Sequence, residues 1–94
     1  MFIVVFYDIS SDKRRMMVAE KLKSLGLVRI QRSVFMGRGG SLKAREVVRA
    51  VKRLIDPNKD SLVVVTIPDN YVRKMMVVGW LWENPYGVQE VTIV

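Results

Sequence analysis

Ninety-four residues, half of them apolar, suffice for one domain with its own core, and neither cysteine nor histidine is among them. That double absence removes disulfides, thiolate and imidazole metal ligands, serine-histidine-aspartate triads and histidine bases. Any metal must therefore be a hard cation held by oxygen: magnesium, manganese or calcium. The formal charge of +7 points to a polyanionic partner, either nucleic acid or an acidic membrane surface, with a ribosomal-type basic protein as the plainer reading.

The apolar opening Met1–Tyr7 is too short for a signal-peptide core and has no basic region before it. No stretch approaches the roughly 18–20 apolar residues that cross a bilayer, so a cytoplasmic protein without a membrane partner is expected. Phe2–Tyr7, β-branched and aromatic, predicts a strand. Ser10 or Ser11 then caps a helix with Asp12 near its positive end, Val18, Leu22 and Leu25 at helical spacing, and Gly26 as its stop. Val28–Arg32 and Ser33–Met36 read as one long strand or two with a bulge, followed by a turn at Gly37-Arg38-Gly39-Gly40-Ser41. A second helix carries Ala44, Val47, Val48, Val51, Leu54 and Ile55 on one face and ends at Asp56-Pro57-Asn58-Lys59-Asp60. Leu62–Ile67 reads as a central strand from its valines. Val72–Val78 and Val88–Val94 read as later strands, separated by the turn Asn84-Pro85-Tyr86-Gly87.

The order is β-α-β-β-α-β with C-terminal extensions, a single α+β domain of ferredoxin-like type. Its two helices cover only one face of the sheet, yet the strands are apolar on both. Phe2, Val4 and Phe6 share one parity, and Ile3, Val5 and Tyr7 the other. A lone copy would leave an oily face in water. A two-fold homodimer would bury it, or the C-terminal segment would fold over it within one chain.

Asp8 ends the first strand on the Phe2–Val4–Phe6 parity. A carboxylate there is costly unless it is exposed, hydrogen-bonded or bound to a cation. One aspartate makes a poor cation site, whereas two brought together by a dimer axis, with water, make a plausible one. Its other reading is a side chain capping the strand-to-helix turn. Arg45, Arg49, Lys52 and Arg53 lie at helical spacing away from the second helix's valines. Lys13, Arg14 and Arg15 crowd a helix N-terminus, where the macrodipole disfavours cations, and phosphate binding would repay that placement. Arg29, Arg32 and Arg38 add charge near the second strand, although any one of these residues also reads as an ordinary solvated surface charge. Phe35, Tyr7 and Tyr86 are of a type that stacks on bases, but Phe35 reads better as core. The glycine turn is no phosphate loop, for no Gly-Lys-Ser/Thr follows a strand. The methionine pairs Met16-Met17 and Met75-Met76 read as core or interface filler.

Two blocks, Val4-Val5-Phe6-Tyr7-Asp8-Ile9-Ser10 and Gly26-Leu27-Val28-Arg29-Ile30-Gln31-Arg32-Ser33-Val34-Phe35-Met36-Gly37, strongly resemble the small CRISPR-associated adaptation protein family. This is the second of the two core spacer-acquisition proteins, often described as an endoribonuclease. Asp60-Ser61-Leu62-Val63-Val64-Val65 and Met76-Val77-Val78-Gly79 fit its later strands. The resemblance implies a ferredoxin-like homodimer in which residues 80–94 pack on the partner. It also implies magnesium between the two copies of Asp8, and an integrase protein as partner. Tyr7, Arg15, Arg29, Ser33 and Phe35 match positions the family uses around its site. Met17 departs from relatives with a basic residue there, which weakens a catalytic reading more than a scaffold reading.

On a nuclease reading, paired Asp8 carboxylates hold magnesium for phosphodiester hydrolysis of RNA or DNA, with Arg15 and Arg29 steadying charge on the phosphoryl oxygens. Tyr7, Arg14, Arg32, Ser33, Arg45, Arg49 and Arg53 complete the nucleic-acid surface. On the rival reading the dimer is a non-catalytic DNA scaffold bridging integrase subunits. A small ligand-binding regulatory domain explains the charge poorly, and a toxin-like RNA-cleaving protein would lie away from CRISPR loci. The low counts of cysteine, glutamine and asparagine are compatible with a thermophilic source.

Overall fold

The computed structural model describes residues 1–84, 86 and 89–91. The apolar run after Met1 forms β1 (Phe2–Asp8). Ser11 then caps α1 (Asp12–Ser24), its hydroxyl accepting from Arg14 N at 3.2 Å. Gly26, at φ +87°, closes that helix. Leu27 N donates to Leu22 O at 3.1 Å and Gly26 N to Lys23 O at 2.9 Å, the paired bonds of a glycine-terminated helix whose flanking leucines both enter the core.

After it come β2 (Val28–Gln31) and β3 (Val34–Arg38), a tight hairpin whose register shifts between Arg29 and Gln31. Gly37 and Arg38 belong to this strand, so the glycine turn begins only at Gly39. Next are α2 (Ser41–Val51) and β4 (Ser61–Ile67). The second helix is shorter than its apolar spacing suggests. Val47 and Val51 are fully buried, but Leu54 and Ile55 reach the core from the turn that follows, and Val48 is 43% exposed. Of the expected strand Val72–Val78, Val72 ends a short α3 (Asp69–Val72) that follows Pro68, and only β5 (Met76–Val78) is strand. It pairs in parallel with β6 (Gln89–Val91). Val88 and 92–94 of the expected last strand lie outside the described residues, as do Pro85 and Gly87 of the turn before it.

The main sheet has the order β2-β3-β1-β4, antiparallel throughout. This is the α+β ferredoxin-like arrangement. It places β4 at an edge rather than the centre, contrary to what a valine run suggests. The reason is topological: β1 is the strand flanked on both sides, and β4 bonds only to it.

On the helix side Ile3, Val5, Tyr7 and Phe35 pack against Val18, Leu22, Val47 and Val51. On the other side the C-terminal segment does part of the covering. Val72, Met75, Val77, Leu81 and Tyr86 close over Phe2, Val4 and Met36, with Tyr86 edge-on to Phe2 at 4.7 Å. Among the described residues the cover stops there. Phe6, Val63 and Val65 stay 43%, 53% and 42% exposed, with Val63 directly opposite Phe6 in the ladder. Among the described residues no helix is long and apolar enough to cross a membrane.

Candidate nucleic-acid interface

Asp8 stands at the end of β1, paired across the ladder with Ser61. It is exposed and falls on the same sheet face as the uncovered Phe6. Among the described residues its carboxylate has no hydrogen-bond or ion-pair partner, so the turn-capping reading of this aspartate does not hold. Nor do three or more acidic, cysteine or histidine side chains gather into a cation site among the described residues. Oxygen is the right donor for magnesium, but a single chain offers one carboxylate only.

The turn that carries Asp8 is fastened from behind by Asp60, a residue whose role the sequence does not reveal. Its side chain is wholly shielded. It accepts from Ser10 N at 3.1 Å and from Asp56 N at 2.9 Å. The Arg14 guanidinium donates to it through Nε at 2.7 Å and Nη2 at 3.2 Å. Those charged hydrogen bonds, chiefly the one from Arg14, hold the Asp60 carboxyl well below the usual carboxylate range against the opposing effect of burial. The same bond raises Arg14. Arg14 is therefore engaged internally rather than presented to phosphate, and its place at the helix start answers to Asp60.

Arg15 does face outward. Its Nη1 donates to Ile9 O at 2.9 Å, and its Nη2 pairs with Asp12. It lines a hollow of about 410 Å³ with Asp8, Ile9, Arg32 and Ser33. Arg15 and Arg32 also line a neighbouring cleft of about 430 Å³ between α1 and β2, where Arg29 and Lys23 join them together with Asp12 and Glu20, the ion-pair partners of Arg15 and Lys23. Five of the sequence-predicted residues thus meet in two adjoining depressions: Asp8, Arg15, Arg29, Arg32 and Ser33.

Tyr7 is not among them as a stacking ring. It is 6% exposed, its hydroxyl donates to Arg32 O at 3.3 Å, and Arg29 Nη2 donates to that hydroxyl at 3.4 Å. Its strand parity buries it under the helices, so it braces the arginines instead of meeting a base. Phe35 is core, as read from the sequence. Arg45, Arg49 and Arg53 are all exposed, a separate row along α2 and the turn after it.

Residues 1–75 match the family model described as CRISPR associated protein Cas2. The chain belongs to the Cas2 family. The Cas2 relative from Aeropyrum pernix, named a CRISPR-associated endoribonuclease, is 39% identical over 83 residues, covering 88% of this chain and 90% of that one. The crystal structure of Streptococcus pyogenes Cas2 superposes with a TM-score of 0.72 at 25% identity, over 84% of this chain and 100% of that one. A Thermoproteus tenax protein named a fusion of endonuclease Cas1 and endonuclease Cas2 is 36% identical over 55 residues, 58% of this chain and 21% of the fusion. The strand-end Tyr7-Asp8 and the block from Arg29 to Gly37, the most specific parts of the sequence resemblance, lie within the matched residues.

Proposed function

We propose that the chain is a CRISPR adaptation protein that works as a homodimer on RNA or duplex DNA, with magnesium-dependent phosphodiester hydrolysis at paired Asp8 carboxylates. One observation carries this reading: an exposed Asp8, unpartnered among the described residues, borders the apolar patch of Phe6, Val63 and Val65 that the described part of the C-terminal segment leaves bare. A second copy seated on that patch about a two-fold axis removes it from water and brings two carboxylates toward each other. The outer edge of β4 favours the same contact. It carries no proline and no charge from Ser61 to Ile67, whereas edges meant to face water usually carry one or the other.

Magnesium supplies, when bound, charge on a phosphate oxygen and a water acidic enough to lose its proton near neutral pH. The protein's own contributions are positional. Asp8 would hold the cation from each copy. Arg15, anchored on Ile9 O, would offset charge on the phosphoryl oxygens in the hollow beside Asp8. Arg29, steadied by Tyr7, would hold the next phosphate along. The names of the endoribonuclease relatives support hydrolysis, and the fused relative supports an integrase partner. The test is metal-dependent cleavage by wild type and Asp8→Asn side by side. Loss in the variant is expected, and unchanged cleavage in a clean preparation overturns the catalytic reading.

A second reading has its own support in the exposed row Arg45, Arg49 and Arg53, which is remote from Asp8 in the chain and suits a duplex backbone. There the dimer is a DNA scaffold bridging integrase subunits. Asp8→Asn would leave spacer insertion intact, and reversing the three arginines would abolish duplex binding.

A further inference from the structure

The chain has two tryptophans, and both lie in the segment after β5. Trp80 is 73% exposed and Trp82 46%. Their ring centroids are 5.9 Å apart, so together they form an aromatic ledge that the core does not use. The ledge is fixed in place. Trp82 N donates to Ile30 O at 3.0 Å, tying the segment to the edge of β2. The Arg29 guanidinium lies 4.8 Å from the Trp82 ring centroid and 5.1 Å from that of Phe35, held between two rings. Arg29 Nε is buried without a hydrogen-bond partner, and the side chain lines a cleft with Arg15, Arg32 and Lys23, four cations against the two carboxylates of Asp12 and Glu20, which pair with Arg15 and Lys23. Aromatic ledge and arginine cleft are therefore continuous through one residue.

A positive groove beside exposed rings is the combination that holds an unpaired strand, with phosphates in the groove and a base on the ring. Inside a duplex every base is stacked on both faces, and only the two terminal pairs offer a free one. We propose that Trp80 and Trp82 form a stacking subsite for an unpaired base whose phosphate lies in the Arg15–Arg29–Arg32 cleft. Trp82 braces Arg29 through a cation–π contact, and the open face of Trp80 receives the base. The subsite rests on the nucleic-acid-binding reading above and adds to it a preference for single strands or single-stranded ends.

Because both tryptophans sit here, the whole indole emission of the protein reports on this patch. The full chain is titrated with short oligo-dU, oligo-U and a long duplex, whose terminal pairs are few. Binding is followed by anisotropy of the labelled strand and, in parallel, by indole emission. Both single strands are expected to quench the emission, while the duplex binds without quenching it. The ratio of the oligo-U to the oligo-dU affinity reports whether ribose or deoxyribose is preferred. Trp80→Ala is expected to weaken single-strand binding about tenfold or more and leave duplex binding unchanged, with Trp80→Phe restoring most of the loss. Single-strand binding that neither quenches nor responds to Trp80→Ala overturns the subsite. So does an emission change seen only on adding a protein partner, which would mark the ledge as a protein interface. Duplex binding without single-strand binding overturns the subsite alone, whereas no binding in any arm overturns the underlying reading with it.

Discussion

Arg14 Nε donates to Asp60 Oδ2 at 2.7 Å, joining the first turn of α1 to the residue that precedes β4. Ser61, the next residue, pairs with Asp8 across the sheet. The ion pair thus sits directly behind the strand end that carries the exposed carboxylate, and it fixes where that carboxylate stands.

Asp60→Asn removes the acceptor charge while leaving Arg14 half-buried. Breaking one side of a shielded pair is strongly destabilising, and a fall in Tm of about 10 °C or more is expected for a chain of this size. Calorimetry on the two proteins checks it. The pH dependence follows from the direction of the shift. Because the folded carboxyl is held below its unfolded value, its contribution is complete above about pH 4 and is lost as pH falls further. Wild type should therefore lose its advantage over Asp60→Asn in acid, and a constant gap down to the most acid conditions would contradict this.

Asp8→Asn should behave in the opposite way. An exposed carboxylate with no partner contributes little to one chain's stability, so Tm without metal should move by no more than about 3 °C. Added magnesium should raise the Tm of wild type, since a ligand that binds only the folded dimer stabilises it. The same addition should leave Asp8→Asn unmoved. Differential scanning fluorimetry with and without magnesium measures both.

Replacing Arg45, Arg49 and Arg53 together by alanine should weaken duplex binding uniformly across sequences. If each touches one phosphate, the slope of log affinity against log salt should fall by about 2–3. Anisotropy titrations at several salt concentrations read this directly, and an unchanged slope would remove α2 from the interface.

Gly39 tests the turn that launches α2. Its φ of +139° is one that side chains rarely adopt, and an added Cβ would lie 2.5 Å from Lys43 Cβ. Gly39→Ala should cost about 1–3 kcal/mol in urea denaturation.

The sequence made the order of elements legible because each carries a local signal: the β-branched run of β1, the Ser11 cap, and the Gly26 stop. Edge and centre were not legible. Five apolar residues in Leu62–Ile67 look like a buried strand, and only the ladder shows β4 bonded on one side. Asp8, Arg15 and Arg29 stood out as charges at strand and helix ends. Arg14 looked the same by that criterion, and its partner lies 46 residues away, a pairing no local pattern displays. Tyr7 was ambiguous because an aromatic before a strand end serves core or surface according to which face is covered. Trp82 carried no signal, since its contact with Arg29 is set by how the C-terminal segment meets β2.

The bare patch beside Asp8 is the surface that a second copy would cover. Multi-angle light scattering of wild type and Phe6→Asp at working concentration tests it. Wild type should give twice the chain mass of 10.8 kDa, and the charged variant the mass of a single chain. A wild type that holds at one chain mass across the accessible concentration range would contradict the shared Asp8 site, because each carboxylate would then stand alone.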